Sequence, residues 1–399
     1  MAAAVAAKRG KKVLLIEKNA RLGEKLAITG GGRCNITNAE YDVRTLLSHY
    51  GASADFLHSS FAQFGVQDTF DFFEDRGLPL KVEAHKRAFP ASERATDVVR
   101  TLIDALHAGN VEVRTKTAVT SIVMKDGRIE KVIAGNEEFT ATSYILATGG
   151  ISHPETGSTG DGFKWLRDIG HAVQDPTPTI VPLATKETWT RELSGISVDG
   201  VKITFEREAL PGEKPKKFSK AGKVLFTHFG ISGPTILNAA GKVADLLHEG
   251  AVTANIDLYP ATDIGTLDKQ LTTLFDANKN KSVRNAMKEI LPPGTAQVFI
   301  MLAGLDPEKK VHSVTKEERS TLSHFLKAIP LTITGLMGYD RAVVADGGLA
   351  LTEVDTRTMR SKKIDNLFIT GDLLNISRPS GGYSLQLCWT TGFVAGSNA

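Results

Sequence analysis

Cysteine is nearly absent. Cys34 and Cys388 are the only two in 399 residues, too few for a disulfide scaffold or for a zinc site built on several thiolates. Net charge is also small: 48 Lys plus Arg against 45 Asp plus Glu leave +3. A general nucleic-acid binder normally carries a strongly basic domain, so no nucleic-acid partner is expected. No apolar run approaches the ~18 residues of a membrane-spanning helix, and no membrane partner is expected either. The alanine-rich start, Met1 to Gly10, meets its first charges, Lys8 and Arg9, after the apolar stretch. A signal peptide places them before it. The expected compartment is the cytoplasm, and no metal site is expected.

What is present describes an ordinary globular protein. Hydrophobic residues make up 41% and charged residues 23%, and the length suggests two or three domains. Glycine is in excess, 37 of 399, and its clusters are informative. Ala2 to Arg9 has helical composition with Gly10 as a stop. Lys12 to Ile16 is a short apolar run that reads as a buried parallel strand, ending in Glu17-Lys18-Asn19. Helix, glycine turn, strand and terminal acid form the second half of a βαβ unit, in which such an acid bonds ribose hydroxyls. A helix-strand pair of an unrelated α/β fold has the same pattern. The next segment favours the functional reading. Lys25 leads into Gly30-Gly31-Gly32-Arg33-Cys34-Asn35. Three glycines strip side chains from the backbone, Arg33 offers charge to a phosphate, and Asn35, Thr37 and Asn38 offer neutral hydrogen bonds.

Helices are expected at Ser53 to Gly77 and Ala95 to Ala108, with Arg87 to Pro90 as a loop between them. Two short strands lie in Val111 to Val123, then a hairpin turn at Gly127 leads to Ile129 to Ala134. Phe139 to Ala147 reads as one strand ending in Thr148-Gly149-Gly150. Ser152 to Gly162 is a loop, and a helix starts at Phe163. Composition shifts at Pro176 to Pro182. The segment 183–340 reads as an inserted β-rich and helical domain, with 1–182 and 341–399 as a discontinuous domain around it. Within the insert, Leu193 to Phe229 is β-like. Lys214, Lys216, Lys217, Lys220 and Lys223 read as a solvated hairpin tip, since the aromatic interleaving of an RNA surface is nearly absent. Helices are expected at Thr266 to Phe275, Ser282 to Ile290 and Lys316 to Leu326, and strands at Leu331 to Thr334 and Ala342 to Ala345. Leu367 to Thr370 is a short buried strand ending in Gly371-Asp372, and Ser380-Gly381-Gly382-Tyr383-Ser384-Leu385-Gln386 opens an apolar helix.

The motifs GGGRCNITN at 30–38, RAFPASERATDVV at 87–99, ATGG at 147–150, TGSTGDG at 156–162 and GGYSLQ at 381–386 together resemble the NAD(P)/FAD-dependent oxidoreductases of the BaiN-like and aminoacetone oxidase-like kind, over nearly the whole chain. The resemblance implies an α/β, Rossmann-like FAD-binding domain of the glutathione-reductase type with an inserted β-barrel-like and helical domain. It implies FAD as cofactor and NAD(P)H as a further, transient electron donor. Glu17 would hold the adenosine ribose, with Lys18 and Asn19 bordering it, and Lys25 belongs to the same cofactor set. Gly30, Gly31, Gly32, Arg33, Cys34 and Asn35 would wrap the pyrophosphate and flavin edge. Val119 would meet the adenine through its backbone, and Ala147, Thr148 and Gly149 would pack beside the dinucleotide. Gly371 belongs to the cofactor set, and Asp372 would bond the ribityl chain or the pyrophosphate region. Gly381, Gly382, Tyr383, Ser384 and Leu385 would bring a helix N-terminus to the flavin pyrimidine ring, where it stabilises the negative charge of the reduced form.

The sequence departs from the family pattern. Asp372, Asn375 and Ser384 stand where Glu, Asp and Asn are usual. The phosphate loop lies about 20 residues before the ribose-binding acid, and counting back from Glu17 passes Met1. The expectation is therefore a fragmentary gene model that lacks the first strand and its GxGxxG turn and ends within the closing helix after Gly396. No catalytic residue is identified. Cys34 reads as a packed thiol, since no CxxC partner exists; Cys388 reads as core. His153 and His85 read as loop histidines, and Arg378 and Tyr383 are candidates for substrate contact. The expected function is flavin hydride transfer to or from a small organic substrate, with NAD(P)H or oxygen as redox partner. The alternatives are a truncated, non-catalytic flavoprotein-like fragment unable to retain FAD, and an RNA-modifying flavoprotein.

Overall fold

The computed structural model describes residues 1–208 and 215–399; Lys214 lies outside them. The chain divides into two compact units, Met1–Pro178 with Ala342–Ala399, and Thr179–Arg341.

The first unit opens with α1 (Ala2–Lys8) and β1 (Leu14–Ile16). Next come α2 (Glu24–Ile28), a single 3-10 turn at Thr29–Gly32, and β2 (Thr37–Asn38). The expected helical stretch from Ser53 is two helices, because Phe64 and Gly65 are extended. They are α4 (Ala54–Gln63) and α5 (Val66–Glu74), preceded by α3 (Val43–Ser48). Arg87 to Pro90 is not a loop. It is β4, the middle strand of an antiparallel sheet with β2 and β3 (Leu80–Glu83), and Ala88, Phe89 and Pro90 are buried. Its proline sits at the strand's end, where a missing donor is tolerated. The helix α6 (Ala95–Ala108) buries Ala95, Val98, Thr101 and Leu106 on one stripe.

Strand β5 (Glu112–Arg114) pairs parallel with β1. Leu14 is 38% exposed, so β1 is parallel but not buried as expected; its second edge has no strand partner among the described residues. β6 (Ser121–Lys125), β7 (Arg128–Ala134) and β8 (Glu137–Phe139) form an antiparallel meander. Phe139 to Ala147 is two strands, since β9 (Tyr144–Leu146) leaves the meander and pairs elsewhere. The helix α7 (Asp161–Asp168) starts two residues earlier than expected, with Asp161 in its first turn, and leads to β10 (Val173–Ile180).

The second unit is built on a closed barrel ordered β11-β14-β13-β12-β15-β16. The strands are β11 (Leu183–Thr185), β12 (Ser197–Arg207), β13 (Lys216–Thr227), β14 (Gly230–Ser232), β15 (Val252–Asp257) and β16 (Ile329–Leu336). Alternation fills it: Val201, Ile203, Phe205, Val224, Phe226, Ala254 and Ile256 are buried while their neighbours face out. The accompanying helices are α8 (Pro234–Leu237), α9 (Ala240–Glu249), α10 (Ile264–Ala277), α11 (Val283–Met287), α12 (Ala296–Leu302) and α13 (Lys316–Lys327). Asp263 caps α10 through the Thr266 N–H at 2.9 Å, and Thr315 with Glu318 forms a capping box on α13.

The chain then returns to the first unit. β17 (Val344–Leu349) pairs with β10, β18 (Leu367–Ile369) pairs parallel with β9, and α14 (Tyr383–Asn398) closes it. The two helices at the chain ends pack closely: a Cβ on Gly396 would lie 2.3 Å from the Ala2 carbonyl oxygen.

Candidate functional site

Two groups of residues make up the site in the first unit, and Lys25 joins them. The first surrounds a cavity of about 1040 Å³ lined by both parallel ladders, Val13 to Asn19 on one wall and Thr140 to Gly149 on another. Of the residues expected to bind cofactor, Glu17, Lys18, Asn19, Lys25, Val119, Ala147, Thr148 and Gly149 line it. β1 and β9, each paired with a single strand among the described residues, both line this cavity. Just past β1, Glu17 Oε1 accepts from the Asn19 N–H at 2.8 Å. Lys18 Nζ pairs with Asp161 at 2.8 Å and also donates to Thr159, while Asn19 Nδ2 donates to the Thr156 carbonyl at 2.8 Å. The TGSTGDG segment thus lies against the strand end. Burial opposes ionisation of Asp161, but Lys18 and Thr159 hold its carboxyl below the usual carboxylate range. The α6 residues Val99, Leu102 and Leu106 also line the cavity. Sequence reasoning assigned them only to a helix, and their apolar spacing reads the same for a core as for a cavity wall.

The second group joins two motifs some 350 residues apart. Gly30, Gly31 and Gly32 all have positive φ, and a Cβ on Gly31 or Gly32 would meet no atom within 4 Å. Beyond them the chain is stitched to the start of α14. With its amide oriented to satisfy both ends, Asn35 accepts from the Gly382 N–H at 3.0 Å and donates to the Ala88 and Thr37 carbonyls. Asn38 Nδ2 donates to the Gly381 carbonyl at 3.1 Å. Buried Gln386 accepts from Thr37 at 2.6 Å and Thr69 at 3.0 Å, and donates to the Gly65 carbonyl and Thr390. Gly382 is sterically required. Its φ is 104°, and a Cβ there would lie 2.3 Å from the Thr37 carbonyl carbon.

Arg33 has its charge matched within the protein. It pairs with Glu83 and Glu93 and lies 4.2 Å over the Phe89 ring. Cys34 is fully buried at φ 59°, and burial pushes its thiol up to about 12; Cys388 is pushed up to about 12 by the same cause. Neither thiol is poised for redox work. His153 faces Glu155 at 2.8 Å, and His85 sits at φ 61° in the turn before β4. Tyr383 is buried, its ring centroid 4.6 Å from that of His49, and Leu385 packs against the cluster around Ile36.

Gly371 and Asp372 lie between the two groups. The Gly371 N–H donates to Thr391 at 3.0 Å. Asp372 pairs with Arg378 through Oδ1 and lies 3.8 Å from Lys25 Nζ through Oδ2, and Lys25 also donates to the Ser152 carbonyl at 3.1 Å. Burial opposes the Asp372 charge, yet Arg378 and Lys25 hold its carboxyl below the ordinary carboxylate value. The expectation that Arg378 meets substrate is corrected. Its side chain is 1% exposed and its donors go to Asp372, Ser384 and the Ile376 carbonyl. Asp372 and Ser384 are thus both partners of this one arginine.

These features fit FAD. An acid stands at the end of a parallel strand, an open glycine turn leaves room for a ligand, and a carboxylate is held ionised near the cavity. A helix N-terminus follows, where negative charge is favoured. The fold and site define a Rossmann-like flavin-dependent oxidoreductase. The chain belongs to the HI0933-like Rossmann domain family, whose model matches residues 1–398. It is 28% identical over 402 residues to the 3-dehydro-bile acid delta(4,6)-reductase of Clostridium scindens, covering all of this chain and 95% of that protein. It is 27% identical to the ribosomal RNA dihydrouridine synthase of Escherichia coli, covering 98% of this chain and 92% of the relative. Among solved structures, the 3-ketosteroid-delta4-(5alpha)-dehydrogenase of Rhodococcus jostii shares the fold. That match has a TM-score of 0.50 and 16% identity, and it covers 100% of this chain and 92% of the other. Among the described residues, no helix is long and apolar enough to cross a membrane.

Proposed function

We propose that this chain uses FAD to transfer hydride to an activated carbon–carbon double bond of a small organic molecule. The observation that carries it is chemical. The bile-acid reductase and the dihydrouridine synthase are named for saturating a double bond, in a 3-dehydro-bile acid and in a uridine ring respectively, and both match this chain over at least 98% of its length.

In this reading Glu17 takes the adenosine ribose, with Lys18 and Asn19 beside it and the Val119 backbone toward the adenine. Ala147, Thr148 and Gly149 pack along the dinucleotide, and Lys25 with the Gly30–Asn35 turn approaches the pyrophosphate and flavin edge. Gly371 and Asp372 take the ribityl hydroxyls, and residues 381–385 face the pyrimidine ring. The bound FAD supplies the hydride chemistry itself. The protein's own residues bind, orient and exclude water. No GxGxxG of a nicotinamide-binding module follows a strand in this sequence, so NAD(P)H as donor docks directly at the flavin in this proposal. The inserted unit, which holds none of these residues, is left to substrate selection, and the compartment is cytoplasmic.

The test is a visible spectrum of the purified chain with and without added FAD, followed by anaerobic turnover with a conjugated steroid enone. Bound-flavin bands and enone-dependent reoxidation are expected. A colourless protein that ignores FAD overturns the reading. That outcome favours the non-catalytic fragment. An rRNA uracil is the other substrate reading, supported by the name of the second relative. Two of the four lysines of β13 give it little help, since Lys216 pairs with Glu249 and Lys217 stands across from Glu206. Salt-sensitive retention on rRNA would revive it.

A further inference from the structure

We infer that Arg378 is a positioning residue that locks Asp372 and the first turn of α14 into one rigid unit facing the flavin, an inference that rests on the FAD reading above. The guanidinium is buried and each of its nitrogens has a separate partner. Nη2 donates to Asp372 Oδ1, Nη1 to the Ile376 carbonyl at 2.7 Å, and Nε to Ser384 Oγ at 3.1 Å. Only a planar fork reaches three acceptors in fixed directions; a lysine ammonium on a flexible stem does not. Asp372 belongs to the turn after β18, and Ser384 is the second residue of α14, so the arginine ties a strand end to a helix start.

The arrangement has two consequences. Oδ1 of Asp372 is taken by Arg378, which leaves Oδ2, 3.8 Å from Lys25, as the oxygen available to a ligand hydroxyl. The carboxylate is therefore pre-aimed rather than free to rotate. The second consequence is electrostatic. Arg378, with Lys25, offsets the negative charge of Asp372 beside the first turn of α14, so the positive end of the helix keeps its preference for an anion. The same arginine thus bears on cofactor affinity through geometry and on reduction potential through charge.

Arg378→Met and Arg378→Lys separate the two. FAD affinity is read by fluorescence titration, and the flavin midpoint by anaerobic reductive titration against a reference dye. Arg378→Met is expected to weaken FAD binding by about tenfold or more and to move the midpoint to more negative values. Arg378→Lys is expected to weaken binding while keeping the midpoint near that of the parent. The flavin-free protein supplies an independent arm. Arg378→Met leaves the Asp372 carboxylate buried without its partner, so Asp372→Asn combined with Arg378→Met is expected to unfold at higher denaturant than Arg378→Met alone. If the parent binds FAD and Arg378→Met matches it in affinity and midpoint, the inference falls while the FAD reading stands. If the two substitutions simply add in the flavin-free protein, the lock itself is absent and the inference also falls. A parent protein that takes up no FAD overturns the FAD reading and this role together.

Discussion

The barrel of the second unit closes on itself, whereas the sheets of the first are short, separate and open along one cavity. The barrel's wall is a continuous backbone ladder around an alternating apolar interior, so its polar groups are satisfied by regular geometry. The first unit has ladders only two or three strands wide and depends instead on single buried side chains that join distant segments. Gln386, Asn35 and Arg378 carry contacts that no backbone ladder supplies. Regular hydrogen bonding gives a tolerant scaffold; individually placed polar groups give a site, at the cost of sensitivity to single changes.

The largest predicted effect follows from that contrast. Replacing Gln386 by Leu removes four hydrogen bonds at once, those to Thr37, Thr69, Thr390 and the Gly65 carbonyl. It should cost the first unit about 3–5 kcal/mol, measured by denaturant unfolding. A loss below about 1 kcal/mol would break the comparison. Gly382→Ala should cost about 2–4 kcal/mol through backbone strain and the clash with Thr37, and should lower FAD uptake as well. In the barrel, Ile203→Val is a conservative core truncation and should cost about 0.5–1.5 kcal/mol. Thr204→Val, which removes an exposed hydroxyl pair with Ser219, should stay within about 0.5 kcal/mol.

Acid should act in the same sense on the first unit. Burial opposes the charge of Glu353, but Lys363 and His171 hold its carboxyl below the ordinary value, and Asp372 is held low by Arg378 and Lys25. The folded state then binds fewer protons than the unfolded one, so this stabilisation is present above about pH 5 and fades as the pH falls below about 4. Unfolding midpoints at pH 7 and about pH 3 check it, and Glu353→Gln should flatten the dependence. The smallest effect concerns the thiols. Cys34 is buried and both thiols are raised to about 12, so neither should react with a neutral-pH thiol reagent until the chain unfolds.

Much of the architecture could be read from local pattern. Ala95 to Ala108 is a helix at the expected bounds because its apolar stripe and the glycine after it are both local signals. Arg87 to Pro90 could not be read, because a proline and a charge disguise a strand whose identity comes from β2 and β3 on either side. Phe139 to Ala147 looked like one strand because composition does not record that a chain changes sheets at Thr140 to Ser143. The glycine clusters marked the site, but not what each glycine does. Gly31 and Gly32 border open space, whereas Gly382 is pressed against Thr37, and only the neighbour's position distinguishes the two. Arg378 was legible as a charge near the site; its partners were not, since they depend on how a strand end meets a helix start.

By itself the sequence determined the α/β class, the strand-end acid, the glycine turns and the family to which they belong, because periodicity, turn chemistry and motif spacing are properties of neighbouring residues. Tertiary structure alone decided that GGGRCN and GGYSLQ are stitched into one clasp, that Arg33 spends its charge on Glu83 and Glu93, and that Arg378 holds Asp372 and Ser384. Those are contacts between residues remote in sequence or set by exact side-chain direction, and a hydrogen bond of about 3 Å is fixed only when the whole fold has placed both ends.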